Sequence, residues 1–534
     1  MPCTTILIGK HATYDGSTII ARDEDSPNGE FTPKKLAVVR PEDQPRTYTS
    51  VISHLTIELP ETPMRYTSVP DATPKDGIWA EAGFNEANVA MSATETITSN
   101  ERVLGADPLV EYVPARGKEG EEGYVPARPG GIGEEDMVTL VLPYIRSARE
   151  GVERLGSLLE RYGTYEMNGI AFSDVDEIWW LETVGGHHWI AKRVPDNAYV
   201  TMPNQLGIDY FDLADAEGER ADHMASAGLR SWMEDNHLDL TMRGQATVDD
   251  VLSDLFGEDD GEDADLRDFV DDVRRGMEDG DIFNPRHAFG SHSDSDHVYN
   301  TPRAWYMQRC LNPGDGWDGA GAVFRPEDDD IPWCRVPERK LTIEDVKYVL
   351  SAHYQGTPYD PYGDGPEALR GRYRPIGINR NGQLAVLQLR PYAEPAWRAV
   401  QWMAFGSNAF NALAPFYGNV DEVPDYLANT GERVSTESFY WANRLVGALA
   451  DARFHDNANA IERYQEKVGA LGHRMLRETD AEVSGLPETE VPAALARANG
   501  RMAERLREET DALLVKVLYT TSMGMKNGFS MSDN

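Results

Sequence analysis

Residues 3–25 read CTTILIGKHATYDGSTIIARDED and contain two runs rich in β-branched residues, 3–9 and 17–22. A Y-D-G turn sequence separates the two runs, so this stretch predicts a β-hairpin. Cys3 stands at the start of the first strand, with almost no chain before it. A structural cysteine is more commonly buried within an element, so the position of Cys3 indicates a chemical role.

The chemistry available at Cys3 depends on the residues before it. Removal of Met1 and Pro2 would leave Cys3 with both a thiol and a terminal α-amine. Such an amine, with an ordinary pKa of about 8, can serve as the base that a thiol nucleophile needs. The second strand ends in ARDED, where Arg22 would lower the thiol pKa and Asp25 would orient the α-ammonium group. The alternatives are a chance terminal cysteine beside an ordinary charged loop.

The rest of the chain alternates between strand-like and helical patterns. In order, we expect strands near 36–40, 47–57 and 78–96, a helix over 134–162, a strand meander over 169–194, a helix over 341–354, strands after 383 and helices from about 435 to 520. This order predicts an α+β fold with largely antiparallel sheets and a helical C-terminal region. We expect one domain over 3–430, with an extended surface loop at 107–135, and a helical region over 431–534 that packs on it. The adjacent Trp179 and Trp180 are expected to fill opposite faces of the sheet.

Composition excludes several classes of partner. The chain has 51 basic and 90 acidic residues, a formal net charge of −39. Nucleic-acid binding requires clustered basic residues, so neither nucleic acid nor an anionic membrane is expected as a partner. Three cysteines do not form a disulfide framework, and no apolar run reaches the length of a membrane span. We therefore expect a soluble cytoplasmic protein.

Several motifs together carry a family resemblance. They are CTTILIG, DGST, ARDED, GFNEANVAMSATET and GGHHW, and the similarity extends over nearly the whole length. With these motifs the chain resembles the N-terminal-nucleophile hydrolases, specifically the dipeptidases similar to dipeptidase A of lactic acid bacteria and related to the secernins. It more distantly resembles the choloylglycine hydrolases and penicillin V acylases. Those families share the initial cysteine and the Arg-x-x-Asp spacing, present here as Arg22 and Asp25.

The resemblance implies a fold and a set of site residues. The fold is an αββα sandwich of two antiparallel sheets, and the activity is hydrolysis of dipeptides through a covalent acyl-enzyme, with no metal or cofactor. Asn85 in GFNE and Asn204 in VTMPNQ are implied oxyanion donors, whose amides would stabilise the tetrahedral intermediate. Arg303 in YNTPRAW is implied to lie near the nucleophile. The alternatives are turn asparagines and a surface salt bridge.

Other clusters suggest different chemistry. The loop over 292–297 (HSDSDH) offers imidazole and carboxylate groups, as a metal-dependent hydrolase requires, although it lacks an H-E-x-x-H motif. The acidic run 258–265 (EDDGEDAD) does not have EF-hand spacing, which favours a solvated loop over a calcium site.

Three further alternatives concern substrate and assembly. An N-acyl amide substrate, as in the acylases, would use the same thiol chemistry, whereas a nonenzymatic member of the fold would not need it. The apolar stripes of the C-terminal helices lead us to expect a homo-oligomer.

Overall fold

The computed structural model describes residues 3–73, 75–240, 276, 280–319 and 321–527. The acidic run 258–265 lies outside the described residues, so the expectation of a solvated loop there stays a prediction. Among the described residues, no helix combines the length and apolar character needed to cross a bilayer.

The strands of the structure are numbered in chain order. They are β1 (Cys3–Ile8), β2 (Thr18–Asp25), β3 (Ala37–Val39), β4 (Thr47–Thr49), β5 (Thr56–Glu58), β6 (Tyr66–Ser68), β7 (Ala82–Phe84), β8 (Ala90–Thr96), β9 (Asn168–Ser173), β10 (Ile178–Val184), β11 (His188–Arg193), β12 (Tyr199–Met202), β13 (Phe211–Asp212), β14 (His223–Ala225), β15 (Ile282–Phe283), β16 (Cys334–Arg335), β17 (Asn381–Leu389), β18 (Ala399–Phe405) and β19 (Ala414–Tyr417).

The described helices follow the same convention. They are α1 (Glu101–Ala106), α2 (Glu134–Val141), α3 (Ala148–Tyr162), α4 (Leu213–Glu217), α5 (Leu229–Asp235), α6 (Pro285–Phe289), α7 (Asp296–Tyr299), α8 (Thr301–Leu311), α9 (Ile343–Val349), α10 (Asp425–Ala428), α11 (Phe439–Asp451), α12 (Phe454–Val483) and α13 (Val491–Met523).

The predicted N-terminal hairpin is present and lies in the middle of a sheet. β1 and β2 pair antiparallel, with Cys3 opposite Glu24 and Thr5 opposite Arg22. The sheet order is β16-β12-β1-β2-β17-β18-β19. Because both hairpin strands have neighbours on each side, the backbone that carries Cys3 is fixed by ladder hydrogen bonds at the sheet centre.

A second antiparallel sheet contains the predicted meander. Its order is β14-β11-β10-β9-β8-β7, and β9, β10 and β11 are consecutive neighbours. Trp180 packs in the core that this sheet shares with Leu7 and Ile20 of the first sheet, whereas Trp179 packs on the opposite face. The predicted separation of the two indole rings is therefore confirmed.

Helices cover the outer faces of both sheets. α2 and α3 pack on the second sheet beside Trp179. α8 and α9, with parts of α12 and α13, pack on the outer face of the first sheet, over Ile6 and Ala21. The structure is thus a mixed α/β fold with antiparallel sheets and a helical C-terminal region.

Two helix predictions differ from the structure in detail. The helix expected over 134–162 is divided, because α2 ends at Val141 and α3 begins at Ala148. Pro143 lies in the intervening 3-10 turn, and a proline in a helix interior removes a hydrogen bond and clashes with the preceding turn. The helix expected over 341–354 is shorter, and Thr342 caps it as predicted by accepting a hydrogen bond from the Asp345 amide.

The C-terminal helices are fastened to the first sheet by buried polar contacts. The Asn499 side chain pairs with both backbone groups of Tyr417 on β19, and Arg390 pairs with Asp480 at 2.6 Å. The proposed boundary near residue 430 falls between α10 and α11. In the segment 107–135, isolated bridges join Val113 to Arg128 and Arg116 to Val125 ahead of α2.

Candidate active site

Cys3 lies buried at the start of the central strand β1, between the two sheets. Arg22 Nη1 donates to its sulfur at 3.0 Å, and its backbone nitrogen donates to Asn204 Oδ1 at 3.3 Å. Its carbonyl oxygen accepts from Arg303 Nη1. The structure therefore brings together four of the six site residues predicted from the sequence.

Arg22 reaches the thiol because the two strands pair in register. Residues directly opposite on paired strands share a face, and alternate residues return to that face. Cys3, Thr5, Arg22 and Glu24 consequently all point into the layer between the sheets.

The guanidinium of Arg22 is saturated with acceptors. Besides Cys3 Sγ, it donates to Ser92 Oγ, to the carbonyls of Ala93 and Thr94, and to Glu81. These contacts engage its five N–H donors. Arg22 is therefore held rigidly beside the sulfur, with no donor left for a substrate group.

A buried charge network stands behind Arg22. Lys34 Nζ lies 3.1 Å from both Glu24 and Glu81 and 2.5 Å from Asp71. Burial acts to raise the pKa of Glu81, but Lys34 and Arg22 outweigh it, so this pKa is lowered. Burial, with the charge of Glu81, raises the pKa of Glu24 to about 8. Glu81 is the carboxylate that anchors Arg22.

Arg303 positions the backbone of Cys3 from α8. Its Nη1 also donates to Thr4 Oγ1 at 2.7 Å, and its Nη2 donates to Asn204 Oδ1 and Asn300 Oδ1, both at 2.8 Å. Its Nε donates to the Tyr299 carbonyl, so the five donors of this guanidinium are also engaged. The expected alternative of a surface salt bridge does not hold, because Arg303 is fully buried.

Asn204 connects the backbone of Cys3 with the end of β8. Its Oδ1 accepts from Cys3 and Arg303, and its Nδ2 donates to the Thr96 carbonyl at 3.0 Å. The side-chain amide carries a second proton on Nδ2. Asn204 can therefore present one N–H donor next to the nucleophile.

Burial raises the pKa of the Cys3 thiol well above its usual value, and the positive charge of Arg22 lowers it. Burial has the larger effect, so the thiol is neutral in the unprocessed chain. The expected influence of Arg22 has the predicted direction but does not by itself create a thiolate. Activation of the sulfur therefore requires a base in contact with it.

Asn85 lies elsewhere, and its contacts do not support the oxyanion role implied by the resemblance. Its Nδ2 donates to the carbonyls of Leu142 and Ile145, at 2.9 and 2.7 Å, and its Oδ1 accepts from two backbone amides of its own turn. Both amide protons are engaged, so this residue fastens the β7–β8 turn to the segment after α2. These are the contacts of a turn asparagine, the alternative that the sequence offered, and the oxyanion role of Asn85 stays a prediction.

Asp25 is likewise separated from the Cys3 amine. Strand alternation places it on the outer face of the first sheet, opposite to the face that carries Cys3 and Arg22. There it pairs with Arg374 and accepts from Asn381 at 2.6 Å. These contacts lie on the outer face, and the Arg-x-x-Asp spacing does not bring both side chains to the sulfur.

Sequence reasoning missed the end of β8. The carbonyl of Thr94 shares Arg22 Nη1 with the sulfur of Cys3, and Glu95 Oε2 accepts from Thr5 Oγ1 at 2.9 Å. The signal was present in MSATET, where hydroxyl and carboxyl groups lie within a buried strand, but only the start of the longer motif was assigned a role.

Two carboxylates hold the loop over 292–297, one from within the loop (Asp296) and one from outside it (Asp329). Asp296 accepts from Ser293 and Asn300, and His297 lies 3.0 Å and His292 3.7 Å from Asp329. Among the described residues, no three His, Cys, Asp or Glu side chains are grouped closely enough to hold a metal ion. The contacts of Asp296 are those of a loop and helix-start stabiliser.

Comparisons with known proteins show the family of this chain. The model of peptidase family C69 matches residues 2–467. The chain is 58% identical to a dipeptidase of Bifidobacterium longum and 51% identical to a probable dipeptidase A of Streptococcus pyogenes, with all of each chain covered. It is also 42% identical to dipeptidase A of Lactobacillus helveticus, over 96% of this chain and 95% of the relative. The protein therefore belongs to peptidase family C69.

Proposed function

We propose that this protein is a dipeptidase of broad side-chain preference in which Cys3, once exposed as the amino-terminal residue, is the nucleophile. The observation that carries the proposal is the arrangement around Cys3. A buried thiol sits on the central strand, with Arg22 at 3.0 Å from its sulfur and Asn204 at 3.3 Å from its nitrogen. The dipeptidases among the relatives suggest the substrate class.

The first half-reaction forms an acyl-enzyme. The α-amine of Cys3 takes the thiol proton, and the sulfur attacks the peptide carbonyl carbon to form a tetrahedral oxyanion. The second Nδ2 proton of Asn204 hydrogen-bonds that oxyanion. The C–N bond then breaks, the α-ammonium returns a proton to the leaving amine, and a thioester remains on Cys3.

The second half-reaction releases the acyl group. The α-amine removes a proton from water, whose oxygen attacks the thioester carbonyl. The tetrahedral intermediate collapses with cleavage of the C–S bond, and the proton returns to sulfur. The products are two amino acids, and Cys3 is restored with its thiol and amine.

The two arginines act on geometry and on electrostatic potential. Arg22 lowers the thiol pKa, and Arg303 fixes the carbonyl of Cys3 and the amide of Asn204. Because their donors are engaged, neither is assigned to substrate binding. We further infer that the two sheets and their helical layers form the αββα sandwich of N-terminal-nucleophile hydrolases, in which a central strand presents the nucleophile.

An assay of matched variants tests this proposal. Wild type, Cys3→Ala and Cys310→Ala are assayed on a panel of dipeptides, each in excess chelator. Cys310 lies on α8 outside the contacts of Cys3, so its substitution serves as the thiol control. We expect full activity in wild type and Cys310→Ala and none in Cys3→Ala. Activity in Cys3→Ala would refute the nucleophile, and loss of all activity to chelator would direct attention to the loop over 292–297.

A further inference from the structure

Glu95 lies between Thr94 and Thr96, and each of these two residues is linked to Cys3 through one intervening side chain. The Thr94 carbonyl shares the Arg22 guanidinium with the Cys3 sulfur. The Thr96 carbonyl accepts from Asn204, which in turn holds the Cys3 nitrogen. The end of β8 therefore runs past both reactive atoms of Cys3, with Glu95 at its centre.

The carboxyl of Glu95 is buried and only half satisfied. Its residue exposure is 0%. Oε2 accepts from Thr5 Oγ1, whereas Oε1 has no hydrogen-bond partner among the described residues. Buried polar atoms are nearly always hydrogen-bonded, so an unpartnered carboxyl oxygen at a candidate active site needs an explanation.

The nearby cations do not supply that partner. Arg303 and Arg22 both lower the pKa of Glu95 electrostatically, yet burial dominates and raises it to about 8. The donors of both guanidiniums are directed to other acceptors, as described above. The site therefore holds a carboxyl group whose charge these arginines stabilise incompletely and whose Oε1 can accept from a further cation.

A dipeptide substrate carries such a cation at a fixed distance. Its α-nitrogen is only two bonds from the scissile carbonyl carbon, so a group that recognises the ammonium has to lie beside the nucleophile. An α-ammonium has an ordinary pKa of about 8 and is charged at neutral pH. A charge-assisted hydrogen bond to carboxylate is the strong contact that this group makes.

We propose that Glu95 Oε1 accepts the α-ammonium of the substrate and thereby restricts the enzyme to peptides with an unblocked amino terminus. This inference rests on the proposed function, because it requires the substrate carbonyl at Cys3. Removal of residues 1 and 2 would leave the nitrogen of Cys3 as the terminal amine that the proposed reaction requires. Glu95 is then a specificity-determining residue.

The test compares substrates that differ only at the amine. Alanyl-alanine and N-acetyl-alanyl-alanine are assayed as substrates, and N-propanoyl-alanine, which lacks the amine, is assayed as a competitive inhibitor. The variants are Glu95→Gln, Glu95→Asp and Glu182→Gln. Glu182 is the matched control, since it is also a fully buried strand glutamate with a raised pKa but hydrogen-bonds Trp180 and Gly207.

We expect Glu95→Gln to lower kcat/KM for alanyl-alanine at least 100-fold, mainly through KM. Hydrolysis of the acetylated substrate, already slow in wild type, and inhibition by N-propanoyl-alanine should change less than threefold. Glu95→Asp should restore part of the loss for alanyl-alanine. Alkylation of Cys3 should be no slower than in wild type, since the charge of Glu95 raises the pKa of the Cys3 thiol, and this result shows that the site is folded. Glu182→Gln should leave both substrates unaffected.

Two results would overturn the inference. An equal loss for amine-bearing and amine-free compounds would show that Glu95 supports catalysis or structure, and an unchanged KM for alanyl-alanine would show that it does not recognise the ammonium. Both results are separate from failure of the proposed function, which is shown by activity in Cys3→Ala.

Discussion

The guanidinium of Arg22 donates to the sulfur of Cys3 at 3.0 Å across two paired central strands. The contact is fixed by register, since Thr5 lies opposite Arg22 and Cys3 lies two residues away on the same face. The contact is also fixed because every other N–H donor of Arg22 is hydrogen-bonded to Ser92, to Glu81 or to the end of β8. A side chain with so little freedom stabilises charge at one point in space.

Replacing Arg22 should therefore impair chemistry more than substrate binding. We expect Arg22→Gln to lower kcat by about 100-fold or more, the range for loss of one preorganised charge-stabilising donor, with a small change in KM. The rate of Cys3 alkylation by iodoacetamide at pH 7 should fall as well, because the thiol pKa rises without the cation. Arg193→Gln, at a partly exposed ion pair with Asp196, is the control. Alkylation at the wild-type rate in Arg22→Gln would contradict the assigned role.

Glu81 should affect kcat by holding Arg22 in position beside the Cys3 sulfur. Breaking one side of a buried ion pair costs about 3–5 kcal/mol, so Glu81→Gln should destabilise the protein by roughly that amount and reduce kcat. Glu437→Gln, at an exposed pair with Arg507, should change stability by at most about 1 kcal/mol. The diagnostic measurement is a double-mutant cycle. The effect of Glu81→Gln on kcat should disappear in an Arg22→Gln background, and full additivity would show that Glu81 does not act through Arg22.

Substitution of Asn204 and of Asn85, which the resemblance implies are both oxyanion donors, should have different effects on kcat and on stability. Asn204→Ala should lower kcat by about 100-fold or more, because it removes the donor assigned to the oxyanion. Asn85→Ala should leave kcat of the folded enzyme within about threefold but lower the free energy of unfolding by about 2 kcal/mol, since it leaves two buried carbonyls without donors. Steady-state kinetics and urea titration of both variants measure these effects. A large kcat effect at Asn85 without a stability effect would restore the role implied by the resemblance.

Glu182 should make stability depend on pH. Burial raises its pKa from 4.5 to about 7, so the folded state binds the proton more tightly than the unfolded chain. The stabilising contribution is complete below pH 4.5 and is lost as pH rises to about 7. In Glu182→Gln, the fall in free energy of unfolding between pH 5 and pH 7 should be smaller than in wild type by roughly 1–3 kcal/mol. The free energies of unfolding are measured by urea titration at the two pH values. An equal fall in wild type and Glu182→Gln would contradict this assignment.

The elements that the sequence predicts well are those with local causes. The hairpin at the N-terminus, the meander and the C-terminal helices follow from alternation, turn residues and helical periodicity. Pro143 shows how one residue divides a continuous helical pattern. The homo-oligomer, the cytoplasmic location and the boundary near residue 430 stay predictions, because they concern relationships beyond these local patterns.

The site residues show where sequence reasoning fails. Cys3 and Arg22 are close in sequence and on one face, so the hairpin alone predicts their contact. Asp25 is three residues from Arg22 and is therefore on the other face, which strand alternation alone would have indicated. Glu95 lies on a strand of the second sheet, and Glu81 directly precedes another strand of that sheet. Their proximity to Cys3 therefore depends on how the two sheets pack.

The most direct test of the central claim is mass spectrometry of the purified, active enzyme after acid quench during turnover of a dipeptide. We predict an amino-terminal peptide that begins at Cys3, and a fraction of that peptide heavier by one aminoacyl group on Cys3. That fraction should be absent without substrate. A fully active enzyme whose chain still begins at Met1 or Pro2, or an acyl group on any other residue, would contradict the account.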